Sequence, residues 1–255
     1  MKKIFSLVII FLIFGFLFSS NQSIKLLKIY DGDTILISLN GKQERIRFTG
    51  INTPEIDHPK YHKKGEFFGP EAKRHLNKIL RKHKISRLEF DVNKRDKYHR
   101  MLAYIFLDNG KMLNELMVED GFAYVYNFPP NVKYTAVFNS AEAYAKRKHL
   151  GIWKNKIKTI SANNLKKLYK NIGKYVEVKG YVTSTYKSKK AIYLNFGKNY
   201  KKDFTAVIFK NCWNLFKENP DSFFKYKKLK ITGKLSNYNG PEIIVSNLNQ
   251  IKLIK

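Results

Sequence analysis

Four short segments of this chain gather groups able to hydrolyse a phosphodiester. Asp31-Gly32-Asp33-Thr34 sets two carboxylates at a strand junction, and Arg45-Ile46-Arg47 alternates two guanidinium groups along a strand. Thr53-Pro54-Glu55 follows Gly50, and Asp96-Lys97-Tyr98-His99-Arg100 lies ahead of another strand. Hard oxygen ligands suit Ca²⁺ or Mg²⁺. A cation beside a bound phosphate acts as a Lewis acid, arginines stabilise charge on a phosphorane-like state, and a carboxylate can orient or deprotonate the attacking water. Singly, each fragment is commonplace: Asp-Gly-Asp is usually a turn, and Arg on a strand is usually a solvated face. Their combination carries the weight.

The elements that must hold these groups follow from local pattern. Ile24 to Tyr30, Thr34 to Leu39 and Glu44 to Thr49 alternate as strands, with turns at Asp31-Gly32-Asp33 and Asn40-Gly41. Pro70 opens a helix that runs to about Lys82 with Leu76, Ile79 and Leu80 on one face. Strands Arg87 to Val92 and Met101 to Leu107 come next, then helices Met112 to Glu119 and Tyr134 to Lys148. Short strands curling round a core with helices outside predict a small barrel. Beyond Gly151-Ile152-Trp153, strands are expected at Tyr175 to Tyr186, Ala191 to Phe196 and Phe204 to Phe209, a helix at Cys212 to Phe224, and strands at Leu229 to Leu235 and Glu242 to Val245. That is the element order of an OB-fold, a five-stranded Greek-key barrel that commonly binds oligonucleotides.

Charge names the partner class. The 255 residues carry 49 Lys+Arg against 20 Asp+Glu, a formal net charge of +29, which favours a polyanion and puts nucleic acid ahead of anionic membrane. With 44% hydrophobic residues and only 14 Gly and 7 Pro, a basic disordered tail is excluded. The charge differs in kind along the chain. Residues 1–156 hold 20 Lys, 8 Arg and 15 acids, whereas residues 157–255 hold 21 Lys, no Arg and 5 acids. Lysine is a point charge suited to general attraction, while guanidinium grips phosphate bidentately, so phosphate chemistry is expected in the first half. In the second, Tyr181, Tyr186, Tyr193 and Tyr238 interleave with lysines as bases and backbone would require, while Phe196, Phe204 and Phe209 read as core. The single Cys212 excludes a disulfide framework and a cysteine-rich zinc site.

At the N-terminus, Met1-Lys2-Lys3 and the apolar run Ile4 to Phe18, broken only by Ser6 and Gly15, read as an export signal over residues 1–20. Phe18 stands where cleavage after Ser20 would want a small residue, so an uncleaved membrane anchor is the alternative. Pro59 between His58 and His62 favours a solvated loop over a helical metal pair.

In this order the motifs resemble the thermonuclease (staphylococcal nuclease-like) family. The likeness is carried by Ile29 to Thr34, Arg47 to Glu55, Gly69-Pro70-Glu71-Ala72, Asp96 to Tyr104 and Gly121 to Tyr126, and spans about residues 24–153. The resemblance implies an OB-fold barrel that cuts DNA and RNA with Ca²⁺. It further implies Asp33 as a direct calcium ligand, the Thr53 carbonyl as another and Asp31 nearby. Glu55 becomes the residue that positions or deprotonates water, and Arg47 and Arg100 the clamp on the scissile phosphate. Lys97 and Tyr98 would touch a terminal phosphate, with Tyr124 and Tyr126 flanking the nucleotide. Asn52 stands where the staphylococcal enzyme has an aspartate ligand, which implies weaker calcium binding, since affinity depends on ligand charge count.

The expectation is thus a mainly β chain with helices, an OB-fold nuclease barrel at 24–153 followed by a second OB-fold-like nucleic-acid-binding barrel at 161–255. It is expected to be a secreted or periplasmic, calcium-dependent nuclease of low sequence specificity, acting as a monomer on DNA or RNA with no protein partner implied. A noncatalytic nucleic-acid binder or surface adhesin is the rival, and an anionic-lipid binder the third reading.

Overall fold

The structure, a computed structural model, describes residues 23–57 and 65–254; the export signal and the His58/His62 segment lie outside them. The first sheet contains β1 (Ile24–Ile29), β2 (Thr34–Leu39) and β3 (Lys42–Phe48). Asn40 and Gly41 join β2 to β3 with φ of 51° and 84°, the mirror-image turn that suits strand twist. After β4 (Ile51–Asn52) come α1 (Gly69–Lys82), β5 (Ile85–Glu89), β6 (Met101–Leu107), α2 (Leu113–Glu119), β7 (Tyr124–Val125) and α3 (Thr135–Arg147). The sheet order is β1-β2-β3-β6-β5, with β3 parallel to β6 and β1 approaching β5 to curl the sheet into a half-barrel. Ile35, Ile37, Ile46 and Phe48 alternate inward and are fully buried, meeting Ala72 and Leu76 of α1, Leu113 and Met117 of α2 and Phe138 of α3.

The second half contains β8 (Lys158–Ser161), α4 (Leu165–Tyr169), β9 (Tyr175–Tyr181), β10 (Ser184–Lys187), β11 (Ala191–Asn195), β12 (Thr205–Phe209), α5 (Pro220–Phe223), β13 (Lys228–Asn237), β14 (Pro241–Ile244) and β15 (Ile251–Leu253). Its order is β10-β11-β12-β14-β13-β9-β8, with β12 parallel to β14. Only Val182 and Thr183 separate β9 from β10, yet the two pair at opposite sides of the sheet, so the sheet closes on itself around a separate core that includes Val178, Leu194, Phe204 and Ile231. Phe196 and Phe204 are core as expected, while Phe209 is 40% exposed. Cys212 is buried, which pushes its thiol up to about 11, in keeping with an inert packing residue.

Several element expectations are corrected. The run Tyr175 to Tyr186 is two strands, because it must turn at Val182 to serve both sides of the barrel. Cys212 to Phe224 is a 3₁₀ turn at Lys210–Leu215 and the short α5, since Pro220 holds Asn219 extended at ψ 116°. The strand expected at Arg87 to Val92 lies at Ile85–Glu89. β8, α4 and β15 were not foreseen, and β8 opens the second sheet at Lys158.

The halves meet along a polar and aromatic seam. Tyr124 stacks on Tyr175 with ring centroids 4.5 Å apart and planes 3° from parallel, and Trp153 meets both rings edge-on. Asn247 Nδ2 donates to Asn139 Oδ1 at 2.5 Å, and Lys234 on β13 is ion-paired with Glu66.

Candidate active site

Arg47 is placed by register. It pairs with Thr34 across β2 and with Leu102 along β6, so its side chain leaves the middle of the sheet on the face opposite Ile46 and Phe48. Its guanidinium is held in one orientation: Nη1 donates to Phe48 O (2.6 Å) and Ile51 O (2.9 Å), Nη2 to Asn52 Oδ1 (2.8 Å), and Nε lies 3.3 Å from Asp33 Oδ1. The turn that presents those carbonyls needs Gly50, whose φ of 79° lies in the left-handed region and where a Cβ would come within 2.4 Å of the Phe138 ring.

Asp33 is buried, and each of its carboxylate oxygens is engaged. Oδ2 accepts from Thr53 N–H (2.7 Å) and Thr53 Oγ1 (3.0 Å), and Oδ1 from Thr34 Oγ1 (3.1 Å). The bond to Thr53 ties β2's entry to the residue after β4, two points twenty residues apart. Asp31 Oδ1 caps the turn by accepting from Asp33 N–H at 2.9 Å. Burial, together with the neighbouring Asp33 carboxylate, pushes Asp31 up to about 7, and Glu55 is near enough to add to the effect. The charge of Arg47 offsets only part of this. A carboxylate pair with surplus negative charge and hard oxygen donors is the environment that a divalent cation relieves, so the residues present fit such an ion.

Arg100 is placed by its loop. Asp96 Oδ1 accepts from the backbone N–H groups of Tyr98 (2.9 Å) and Arg100 (3.0 Å), and Oδ2 takes Arg100 Nε at 2.7 Å. Arg95 anchors this loop to β3 through a bidentate pair with Glu44, at 3.0 and 2.9 Å, and also donates to His99 O. Lys97 Nζ rests 5.0 Å from the centre of the exposed Tyr98 ring.

One cleft of about 510 Å³ collects Arg47, Arg100, Lys97, Tyr98 and Tyr126, with Phe128 on its rim. The structure therefore brings together five of the residues singled out from the sequence, with Asp31, Asp33, Asn52 and Thr53 adjoining through Arg47. Glu55 follows on the same stretch, in the loop after β4. Tyr124 is apart from them. It pairs through β7 with Asn52 on β4, but its ring lies in the seam against Tyr175 and does not line the cleft.

Two supporting residues escaped sequence reasoning. Asn114 is fully buried on α2, donating to Thr49 O (2.9 Å) and Ala103 O (3.2 Å) and accepting from Ile105 N–H (2.9 Å), which locks β3's end to β6. An asparagine on an otherwise apolar helix face was its only signal. Asp96 stood in a recognised motif, but its role as organiser of Arg100 emerges only from the loop's closure.

Comparison with known proteins shows the family. The family model for staphylococcal nuclease homologues matches residues 45–155. A thermonuclease of Staphylococcus hyicus is 34% identical over 137 residues, covering 54% of this chain and 79% of that protein. One from Staphylococcus intermedius is 36% identical over 126 residues, 49% of this chain and 73% of its own. Endonuclease YncB of Bacillus subtilis is 38% identical over 125 residues, 48% of this chain and 57% of its own. The family model's span takes in Arg47 and Arg100, and by these likenesses the chain belongs to the thermonuclease family of phosphodiester-hydrolysing nucleases, whose substrate is nucleic acid.

Proposed function

We propose that the protein is an exported, calcium-dependent nuclease that hydrolyses DNA and RNA with little sequence preference, residues 24–153 forming the catalytic unit and 161–255 a unit that holds substrate. The observation that carries this reading is the convergence of Arg47 and Arg100 on one cleft with the Asp33 carboxylate against the Arg47 Nε. Asp33, the Thr53 carbonyl and Asp31 would hold Ca²⁺, with Asn52 beside them. Bound there, the ion would supply Lewis-acid stabilisation of phosphate charge. Arg100 offers the guanidinium edge not engaged by Asp96, and Arg47 its remaining Nη2 hydrogen, so the clamp is oriented before substrate arrives. Glu55 orients or deprotonates water. Tyr126 and the exposed Tyr98 border the nucleotide, and Lys97 meets a terminal phosphate.

The second barrel supports the holding role with a tyrosine pair, Tyr186 and Tyr193, whose centroids lie 6.0 Å apart across β10 and β11, beside Lys187 and the Lys189–Lys190 turn. The turn at Asn211 adjoins the cleft's rim, donating to Pro129 O at 3.4 Å.

Digestion of DNA by purified protein, with and without EGTA and beside Glu55→Gln, tests the proposal. Calcium-dependent cleavage lost in the variant is expected; absence of cleavage by the unaltered protein with calcium overturns it. The noncatalytic binder draws support from Asn52, whose amide oxygen is engaged by Arg47, and the same assay decides it. Export is tested by fractionating cells that express the full chain, with recovery only from the cytoplasm counting against it.

A further inference from the structure

Glu55 lies in residues 53–57, which follow β4 without regular secondary structure, so sheet bonding does not fix its backbone. Glu66 does. Its N–H donates to Glu55 O at 2.8 Å, and its carboxylate Oε2 accepts from Glu55 N–H at 3.4 Å. Behind this pair, Gly69 lies so close that a Cβ there would stand 2.1 Å from Glu55 O. The other carboxylate oxygen of Glu66, Oε1, is taken by Lys234 Nζ from the second barrel. Glu66 thus holds Glu55 with one oxygen and the neighbouring barrel with the other.

Lys234 differs in setting from the surface lysines of its half. It faces Tyr175 across the β9–β13 ladder, and Tyr175 is the ring stacked on Tyr124, so the strand is clamped where the lysine leaves it. Its partner's side chain is only 16% exposed, which leaves the pair less screened than a surface salt bridge. A charge-assisted bond at that point fixes the loop more firmly than a neutral one.

We propose that Lys234 is a positioning residue for the nuclease reaction: through Glu66 it sets the backbone of Glu55, and so the place where that carboxylate meets the attacking water. The inference rests on the reading of Glu55 given above. It assigns the second barrel a part in turnover itself, in addition to holding substrate.

The test uses the full chain with two substrates, a dinucleotide confined to the cleft and long DNA. Lys234→Met is expected to lower kcat on the dinucleotide by about tenfold with KM changed by less than about twofold, since misplacement of a reacting group acts on the transition state. Glu66→Gln should match it, the double variant should be no worse, and Lys234→Arg should restore most of the loss. An unchanged kcat on the dinucleotide, or a defect confined to KM on long DNA, would make Lys234 a mere phosphate contact and overturn the proposal. Glu55→Gln run alongside separates the two readings. If it leaves turnover intact, the assignment of Glu55 fails; if it abolishes turnover while Lys234→Met has full kcat, only the positioning role fails. Should Lys234→Met lose its thermal transition, the charge exchange Lys234→Glu with Glu66→Lys decides, with recovered kcat supporting the proposal and no recovery opposing it.

Discussion

In the first barrel the strand parallel to β6 reads Lys-Gln-Glu-Arg-Ile-Arg-Phe, and Ile46 and Phe48 take the core while Arg45 and Arg47 turn outward. Its counterpart in the second barrel, parallel to β14, reads Thr-Ala-Val-Ile-Phe and is buried at every position but Phe209. Both strands stand third from an edge of their sheet, beside a parallel partner. One alternates because a polar cleft faces it; the other does not, because the turn at Lys210–Leu215 folds back beside it, with Trp213 Nε1 donating to Ile208 O at 3.1 Å. The common topology thus supplies a position, and whether chemistry occurs there depends on whether that face is left open and which loops bring carboxylates to it. Charge follows the same division, guanidinium near the first cleft and ammonium alone on the second barrel.

The largest blow to this contrast should come from Glu55→Gln. Removing the group that handles the water is expected to lower kcat by about 10²-fold or more with binding of long DNA retained, measured by single-turnover cleavage beside a filter-binding isotherm. Equal loss of both would mean that the two barrels do not divide the work. Next, Asn52→Asp restores a negative charge beside Asp33, and the calcium concentration for half-maximal cleavage should fall by about tenfold. A titration that does not move would place Asn52 in the service of Arg47 alone. On the second barrel, Tyr186→Ala should weaken a single-stranded oligonucleotide by about fivefold, near the lower end of the cost of a lost stacking contact. Lys187→Ala should instead reduce the salt slope of binding by about one, with dinucleotide turnover unchanged for both. An intact isotherm would move the holding surface elsewhere.

The smallest effect concerns acid. Burial raises the Glu89 carboxyl, but hydrogen bonds from Lys133, Arg87 and Tyr134 outweigh it and bring the group down to about 2. Because the folded value lies below the unfolded one, this contribution is present above about pH 4.5 and fades as pH falls toward 2. Glu89→Gln should therefore lower stability at neutral pH and flatten the acid limb of the stability curve, with the two proteins converging toward pH 2, followed by circular dichroism.

What could be read in advance was local. Asn40-Gly41 announces its hairpin, Pro70 its helix, and the run from Arg47 to Glu55 keeps its residues adjacent in space because a single turn joins them. Tyr124 shows where such reading stops. Its place beside Tyr126 suggested a nucleotide-flanking ring, but β7 ends at Val125, so Tyr126 leaves the strand for the cleft while Tyr124 stays in the seam, where its partner Tyr175 belongs to the other half. Glu66 and Lys234 stand 168 positions apart with no pattern to connect them. Asn114 was hidden for a different reason, since a buried amide is recognisable only once the carbonyls around it are known.

The seam also makes the protein legible to light. The chain has two tryptophans: Trp153 lies edge-on to Tyr124 and Tyr175, and Trp213 lies under the Lys187 ammonium at 4.8 Å. One emitter therefore reports on the contact between the halves and the other on the lysine surface. Replacing either with phenylalanine isolates the remaining signal, so the opening of the seam and the arrival of a polyanion become separately observable without an added label.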